Sequence, residues 1–405
     1  MTLDTATRPL APTAKFPIGS LVLLGIAVFV TVTAETLPAG LMPEMAADFG
    51  VDSVQIGLLI SVWALTVIVT SIPLTRLFAR FDRRLVLGVA LAGFAVANLA
   101  TALSPDYGFA VATRVLGAVT HGVFWAIVIV YTTSLLTPKQ LGRGLSIVTG
   151  GVTAAAVVGF PSGAALAQLV GWRVAFVVLA TVSLLIAAAI LVKMPARRPE
   201  PATTAQRSAG FRRDPSLPAL LAFGAASVLI ALGQYATFTY VRSYLEGAAM
   251  IDAEWSAGLL FIYGLAGLGG VAVAGFVADR FPRGGLVVAT AAFAVVFAVL
   301  TFAAGSLVSV IIALVVWGAA FGAVLPLLQT AQMRAATERT RALASAGMMV
   351  LFNVGVAVGP WLGGVVGGQR APTMTTAMSA VVMVIATVAG VVGMTLLGHR
   401  TDGRR

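Results

Sequence analysis

The chain has no cysteine, two histidines and only 15 aspartates and glutamates among 405 residues. Without cysteine there is no disulfide framework, no thiol nucleophile and no thiolate metal site. With His121 and His399 as the only histidines, a histidine-rich metal site is equally out of reach. Charge is scarce as well: 10% of residues are charged, against 59% hydrophobic. A soluble domain needs a hydrated surface that this composition does not supply, so the chain reads as an integral membrane protein in contact with the lipid bilayer. A Gly-x-x-x-x-Gly-Lys-Ser/Thr phosphate loop is also missing, and the one long polar linker is too short for a nucleotide-binding domain. Any work done must therefore draw on an ion gradient, with no cofactor beyond protons. The absence of a nucleophile-base pairing argues against an enzyme.

What is present is a succession of apolar segments of spanning length, at 17–42, 54–75, 85–103, 107–132, 144–168, 172–193, 217–241, 255–277, 285–304, 307–330, 343–367 and 373–397. Each is roughly 20 residues or a little more, which suits an α-helix crossing a ~30 Å hydrocarbon core. The expectation is an all-α membrane protein of about twelve helices. The first apolar run is too long, and too interrupted by Glu35, for a cleaved signal peptide, so it reads as an uncleaved span.

The net charge of +11 lies in short loops between spans and reports topology rather than a nucleic-acid partner. All but four of the 26 lysines and arginines fall on the side of the two termini, the exceptions being Arg114, Arg173, Arg242 and Arg370. Both termini are therefore expected in the cytoplasm. The excess of arginine over lysine and the abundance of alanine suit a GC-rich bacterial genome and hence the bacterial cytoplasmic membrane.

A Pro-, Arg- and Ala-rich stretch, 194–216, reads as a cytoplasmic linker between six-helix units at 17–193 and 217–397, with tails at 1–16 and 398–405. The units repeat at an offset of about 200 residues: Arg80-Phe81 returns as Arg280-Phe281, Arg83 as Arg283, Gly122 as Gly322, Gly159 as Gly359, and Trp63 as Tyr263. Two parallel six-helix repeats are the transporter design in which bundles rock around a midplane site.

The costly stretch is Arg114 to Trp125. Arg114, Ala118, His121 and Trp125 are spaced by four, three and four residues, so they share one stripe of a helix. A charged stripe inside a membrane must face a bundle interior or a water-filled cavity. By helix rise, Glu35 lies ~10 Å below the outer end of the first span and Arg114 ~10 Å below the start of the fourth. Equal depth leads us to expect an Glu35–Arg114 pair that offsets the desolvation of each. Two readings of it stand: Glu35 as a proton carrier whose protonation releases Arg114, or a permanent structural ion pair. His121, ~21 Å into its span, is either a titrating or hydrogen-bonding group or a packed histidine. Phe124 and Trp125 offer faces for stacking on cargo, or simply pack.

Several stretches resemble the major facilitator superfamily. Gly275-Phe276-Val277-Ala278-Asp279-Arg280-Phe281-Pro282-Arg283 looks like its G-x-x-x-D-R-x-G-R loop, and the earlier copy, Thr75 to Arg84, keeps Arg80, Arg83 and Arg84. Arg114 to Gly122 resembles its fourth-helix arginine motif. Gly159-Phe160-Pro161-Ser162-Gly163 and Gly359-Pro360-Trp361-Leu362-Gly363-Gly364 resemble the Gly-Pro antiporter motif. Within the superfamily the likeness is to the twelve-span drug:proton antiporter branch. It is most like bacterial sugar-efflux and arabinose-efflux transporters, through Glu35-Thr36, Gly40-Leu41, His121 to Trp125, Gly171-Trp172-Arg173 and the series Tyr235, Phe238, Tyr240. Gln234 stands where that subgroup often has histidine.

The resemblance implies a proton-coupled antiporter, acting as a monomer, that exports a small neutral or amphipathic molecule such as a sugar, nucleoside or chloramphenicol-like drug. Uptake by proton symport and a non-transporting ligand sensor are the alternatives. By the same resemblance, Asp279, Arg280 and Arg283, with Arg80 and Arg83 in the first copy, would form an inter-helix latch for the outward-open state. Gly159, Pro161, Gly359 and Pro360 would let helices pack closely and bend at the pivot between halves. The repeat mates of Glu35, Arg114 and His121 are Tyr235, Leu314 and Phe321, so titratable chemistry is confined to the first half. Gln234, Tyr235, Tyr263 and Asn353 would then supply neutral hydrogen bonding from the second, or serve as helix-packing polar residues.

Overall fold

The computed structural model describes residues 16–78, 81–137, 140–196, 214–281, 284–337, 340–368 and 370–402, and every regular element among them is helical. In the first half these are α1 (Ile18–Gly40), α2 (Met42–Phe49), α3 (Ser53–Phe78), α4 (Arg83–Ala102), α5 (Tyr107–Ser134), α6 (Leu141–Ala154), α7 (Phe160–Val170) and α8 (Trp172–Lys193). The second half holds α9 (Leu217–Thr239), α10 (Val241–Ser243), α11 (Ala253–Arg280), α12 (Gly285–Phe302), α13 (Leu307–Ala335), α14 (Arg341–Val366) and α15 (Pro372–Asp402). Eleven helical stretches among the described residues are long and apolar enough to cross a bilayer, and α14 adds a shorter apolar stretch, Val350–Val366.

Local chemistry sets many of the boundaries. The Asp82 carboxylate accepts from the backbone N–H groups of Arg84 and Leu85 at 2.8 and 3.2 Å, capping α4, and Asp106 accepts from Phe109 at 2.8 Å to start α5. Gly171, at φ 91°, turns the chain between α7 and α8 in a conformation that a side chain would oppose.

Three segments depart from simple spans. The first span stops at Gly40, and the residues beyond it form the separate helix α2. The fifth is interrupted by a π-helical turn, Ala155–Gly159, just before Pro161. The seventh ends at Thr239, where the chain breaks at Tyr240 and continues through α10 into a second π turn, Tyr244–Ala248. Proline and π turns are the usual causes of such breaks.

Buried apolar residues gather in two clusters, one drawn mainly from 21–194 and the other mainly from 219–394. Each borrows from the opposite half: Tyr240 sits in the first cluster, while Ala39, Ile60, Ala64 and Phe160 sit in the second. The halves meet through α3 with α14, and through α11 with α7 and the Ala155–Gly159 turn. At the latter contact a Cβ on Gly264 would stand 2.6 Å from the Ala156 carbonyl oxygen, so the backbones touch directly.

Inside the second half α11 and α13 cross in the same way. A Cβ on Gly322 would lie 2.8 Å from the carbonyl carbon of Gly267, and one on Gly270 would lie 2.8 Å from that of Ala319. Small residues at such crossings let helices associate in lipid, where no hydrophobic drive between helices exists. Replacing Gly322 by Leu drives a side chain into the backbone of α11. We expect a stability loss of about 1–3 kcal/mol, read as a lower melting temperature in detergent or nanodiscs; an unchanged melting curve contradicts the close crossing.

Candidate functional site

Pro38 lies inside α1 and has no N–H, so the carbonyl four residues earlier, that of Ala34, is left without its helical donor. Arg114, on the polar stripe of α5, supplies the missing donor. Its Nη1 donates to the Ala34 carbonyl at 2.9 Å and its Nη2 to the Glu35 carbonyl at 3.0 Å. The guanidinium also lies 4.0 Å from the centre of the Trp63 ring on α3. A charge that is 1% exposed is thus held by two carbonyl dipoles and an aromatic face.

This corrects the expected Glu35–Arg114 ion pair. Arg114 reaches Glu35, as equal depth suggested, but takes its main-chain oxygen and leaves the carboxylate free. That carboxylate instead faces His121, with Oε2 at 3.6 Å from Nε2. At 3.6 Å the pair is just beyond hydrogen-bond reach, and it becomes an ion pair only when the imidazole is protonated. His121 follows Arg114 by two helical turns and was expected well below Glu35; the crossing of α1 and α5 and the reach of both side chains close the gap. Trp63 lies between Arg114 and His121, its ring 5.2 Å from that of His121 and nearly edge-on to it. Phe94 and Trp125 stand 6.3 and 6.2 Å from the imidazole. Trp125 and Glu35 are half-buried, whereas His121 and Phe124 are buried.

The second half presents a different wall. Gln234, 1% exposed, donates from Nε2 to the Tyr263 hydroxyl at 2.9 Å and accepts from Trp317 Nε1 at 2.6 Å. Both ends of its amide are therefore engaged inside the bundle. Tyr263 packs against Trp317 at 5.1 Å and Phe238 at 5.6 Å. Phe238 in turn meets Phe160 of the first half at 4.7 Å. Tyr235 is half-buried, set edge-on to Phe238 and Phe352 at 6.4 and 6.2 Å. Asn353, on α14, is also half-buried. The neutral hydrogen-bonding set expected from this half thus divides: Gln234 and Tyr263 serve each other, while Tyr235 and Asn353 remain partly accessible.

Gly159 and Gly359 of the two motifs work within their own halves, whereas a Cβ on Gly364 would lie 2.8 Å from the Val54 side chain on α3 of the first half. A Cβ on Gly159 would meet the Thr33 side chain on α1, and one on Gly359 would lie 2.8 Å from the Leu232 carbonyl oxygen on α9. Their proline neighbours, Pro161 and Pro360, are buried. Of the loop residues, Arg83 donates to the Val130 carbonyl at 3.4 Å within its own half, and Arg280 is exposed, 6.0 Å from the Phe281 ring. Arg80, Arg283 and the Asp279 side chain lie outside the described residues.

Trp63, Pro38, Phe94, Trp317 and Phe352 are residues of the site that the amino-acid pattern did not assign. The signal for Pro38 was available, since a proline four residues after Ala34 exposes one carbonyl on a span that faces an unpaired arginine. Trp63 had been noted only as the repeat mate of Tyr263.

A buried arginine and a carboxylate facing a histidine in one bundle, opposite an aromatic wall in the other, form a candidate site between two helical units. The sequence profile of the Major Facilitator Superfamily matches residues 24–331 and again 247–404. The chain belongs to the major facilitator superfamily. It is similar to a chloramphenicol efflux pump of Mycobacterium tuberculosis (strain CDC 1551 / Oshkosh), with 33% identity covering 98% of this chain and 94% of that protein. A chloramphenicol efflux pump of strain ATCC 25618 / H37Rv is 32% identical over the same shares. The fold is that of solved superfamily transporters. A bacterial homologue of the human lysosomal transporter Spinster, in an inward-facing and occupied conformation, matches with a TM-score of 0.71 at 16% identity, covering 96% of this chain and 98% of that one. The nucleoside transporter NupG matches with a TM-score of 0.74 at 14% identity, covering 91% and 98%. As a superfamily member the chain is a multi-pass membrane transporter, not an enzyme, and the efflux pumps among its relatives are named for a drug rather than a sugar.

Arg114 addresses two carbonyls with the two ends of a planar fork, a geometry that lysine, with all its donors on one nitrogen of a shorter side chain, does not reproduce. Arg114→Lys should lose about 1.5–3 kcal/mol of stability, measured by thermal unfolding of the purified protein. A variant as stable as the parent contradicts the two-carbonyl clamp.

Proposed function

We propose that this protein is a proton-coupled antiporter that exports a small neutral or amphipathic molecule, of the chloramphenicol class, across the bacterial cytoplasmic membrane by alternating access. In this reading it acts as a monomer of twelve spans, with units 17–193 and 217–397 as the moving bundles and both termini cytoplasmic. The observation that carries the proposal is the separation of charge from charge at Glu35. Because Arg114 is occupied by backbone carbonyls, the Glu35 carboxylate is uncommitted and half-buried, facing His121. A carboxylate in that position can take up a proton without first breaking an ion pair, which suits a carrier better than a fixed structural partner. Two relatives named as chloramphenicol efflux pumps support the direction and class of cargo.

The cargo would lie between Glu35, His121 and Trp125 on one side and Tyr235, Phe238 and Phe352 on the other. Stacking on the aromatic faces favours a ring-bearing molecule. With Gln234 and Tyr263 bonded to each other, selection by hydrogen bonding falls to Tyr235 and Asn353 in the second half. The Asp279–Arg283 loop, with Arg80 and Arg83, would act at the cytoplasmic end in the outward-open state.

In inverted vesicles or proteoliposomes with an imposed pH gradient, cargo and proton should move in opposite directions; movement in the same direction establishes symport instead. Glu35→Gln is expected to abolish gradient-driven transport while binding of the drug stays measurable, and unchanged transport removes Glu35 as the carrier. Tyr235→Phe should weaken drug binding roughly 5- to 10-fold, the scale of one lost hydrogen bond, with melting temperature preserved. An unaltered affinity assigns recognition to Asn353 and the aromatic faces.

A further inference from the structure

One arginine outside the spans ties the halves together at the end remote from the chain termini. Arg242, on α10 just after the break at Tyr240, is 4% exposed. Its Nη1 donates to the Gly40 carbonyl at 3.1 Å and to both carboxylate oxygens of Glu44 at 2.6 and 2.8 Å, all in the first half. Its Nε donates to Glu246, one turn along its own segment, at 2.7 Å. Ser256 on α11 completes the cluster by donating to the same Glu246 oxygen at 3.4 Å. Burial pulls the Arg242 pKa down, but hydrogen bonds and charge from Glu44 and Glu246 outweigh it and raise it, so the group stays charged.

The first-half side of this contact is stiff. The helix that carries Glu44, α2, is bolted to the start of α8: Trp172 Nε1 donates to Asp48 at 2.8 Å, Arg173 pairs with Asp48, and the Phe49 and Trp172 rings lie 5.2 Å apart. Arg173 also donates to the Ser104 carbonyl at 3.1 Å. Beside the cluster Tyr240 is wedged between halves. Its hydroxyl donates to the Pro360 carbonyl at 3.0 Å and fills the space beside Gly57 on α3, where a Cβ would come within 2.5 Å of it.

We infer that Arg242 is a two-partner ionic latch that holds this end of the transporter closed, released by exchanging the inter-half partner Glu44 for the same-segment partner Glu246 alone. Separation of the halves at this end must break the Glu44 and Gly40 contacts, because they lie on opposite bundles. The Glu246 contact travels with Arg242 and keeps the guanidinium paired in the open state, which lowers the cost of opening. A single carboxylate on either side would lack this property: Glu44 alone would leave a bare charge on opening, and Glu246 alone would not join the halves.

The inference rests on the alternating-access reading but not on the cargo or on proton coupling. Because the chain has no cysteine, Ala47→Cys on α2 and Glu254→Cys on α11, both exposed, would carry the only two spin labels. Electron–electron resonance distances between them are read in nanodiscs without cargo or gradient. Glu44→Gln should move the distribution toward longer distances, and Glu44→Asp, which keeps the charge, should return it toward the parent. Glu246→Gln should not lengthen it, and should deplete any long-distance population in the parent. An unchanged distribution in Glu44→Gln, or a lengthening shared by both Gln variants, overturns the latch. Failure of gradient-driven export in a parent whose distances still respond in this way would overturn the proton-coupled export reading and leave the latch standing.

Discussion

The structure turns on how a full positive charge is kept inside an apolar bundle. A helix interior has no spare acceptors, since every backbone carbonyl is taken by its own N–H four residues on. Pro38 breaks that rule at one position and exposes the Ala34 carbonyl, and Arg114 occupies it. The proline and the arginine thus solve each other's problem: an orphaned acceptor and a desolvated donor. With both terminal nitrogens of the arginine taken by main chain, the Glu35 carboxylate is left facing His121. The chemistry proposed for the site follows from that division of one residue's oxygens between two neighbours.

The same economy of polar groups shapes the second half with the opposite result. Gln234, Tyr263 and Trp317 close a hydrogen-bonded chain among themselves, which leaves an aromatic surface rather than a polar one toward the first half. One wall of the site therefore carries charge and the other carries rings, and an amphipathic molecule matches both. At an offset of about 200 residues, Tyr235 stands where the first half has Glu35 and Phe321 where it has His121, so the two walls differ in their side chains. Between the walls the halves touch where glycines permit it, at Gly264 and Gly57, and where Tyr240 and Phe160 each enter the other half's core.

Much of this was legible beforehand wherever a local pattern carried the information. Apolar runs located the spans, because a bilayer imposes a length on a helix. The stripe from Arg114 to Trp125 located one side of the site, because helical spacing places those residues on one face. Equal depth brought Arg114 to Glu35. What depth could not supply was which oxygen of Glu35 the arginine would choose, nor that His121, two turns further along, would meet the carboxylate. Both depend on the crossing of α1 and α5. Whether Gln234 and Tyr263 were hydrogen-bonding groups for cargo or packing residues stayed open for the same reason: Trp317, which bonds Gln234 and packs on Tyr263, lies on a distant helix. Arg242 was visible only as one of four basic residues outside the cytoplasmic loops, with no pattern to connect it to Glu44 across nearly two hundred residues.

The sequence by itself determined that this is a helical membrane protein, with its rare intramembrane charges on particular helix faces. Those properties follow from short-range periodicity and from the cost of placing polar groups in hydrocarbon, and neither needs a partner to be specified. Tertiary structure alone decided the pairings: Arg114 with carbonyls rather than a carboxylate, Glu35 with His121, Gln234 with Tyr263 and Trp317, and Arg242 with Glu44. Each pairing is a competition among several acceptors of similar strength within a few ångströms, and the relative placement of helices far apart in the chain settles it.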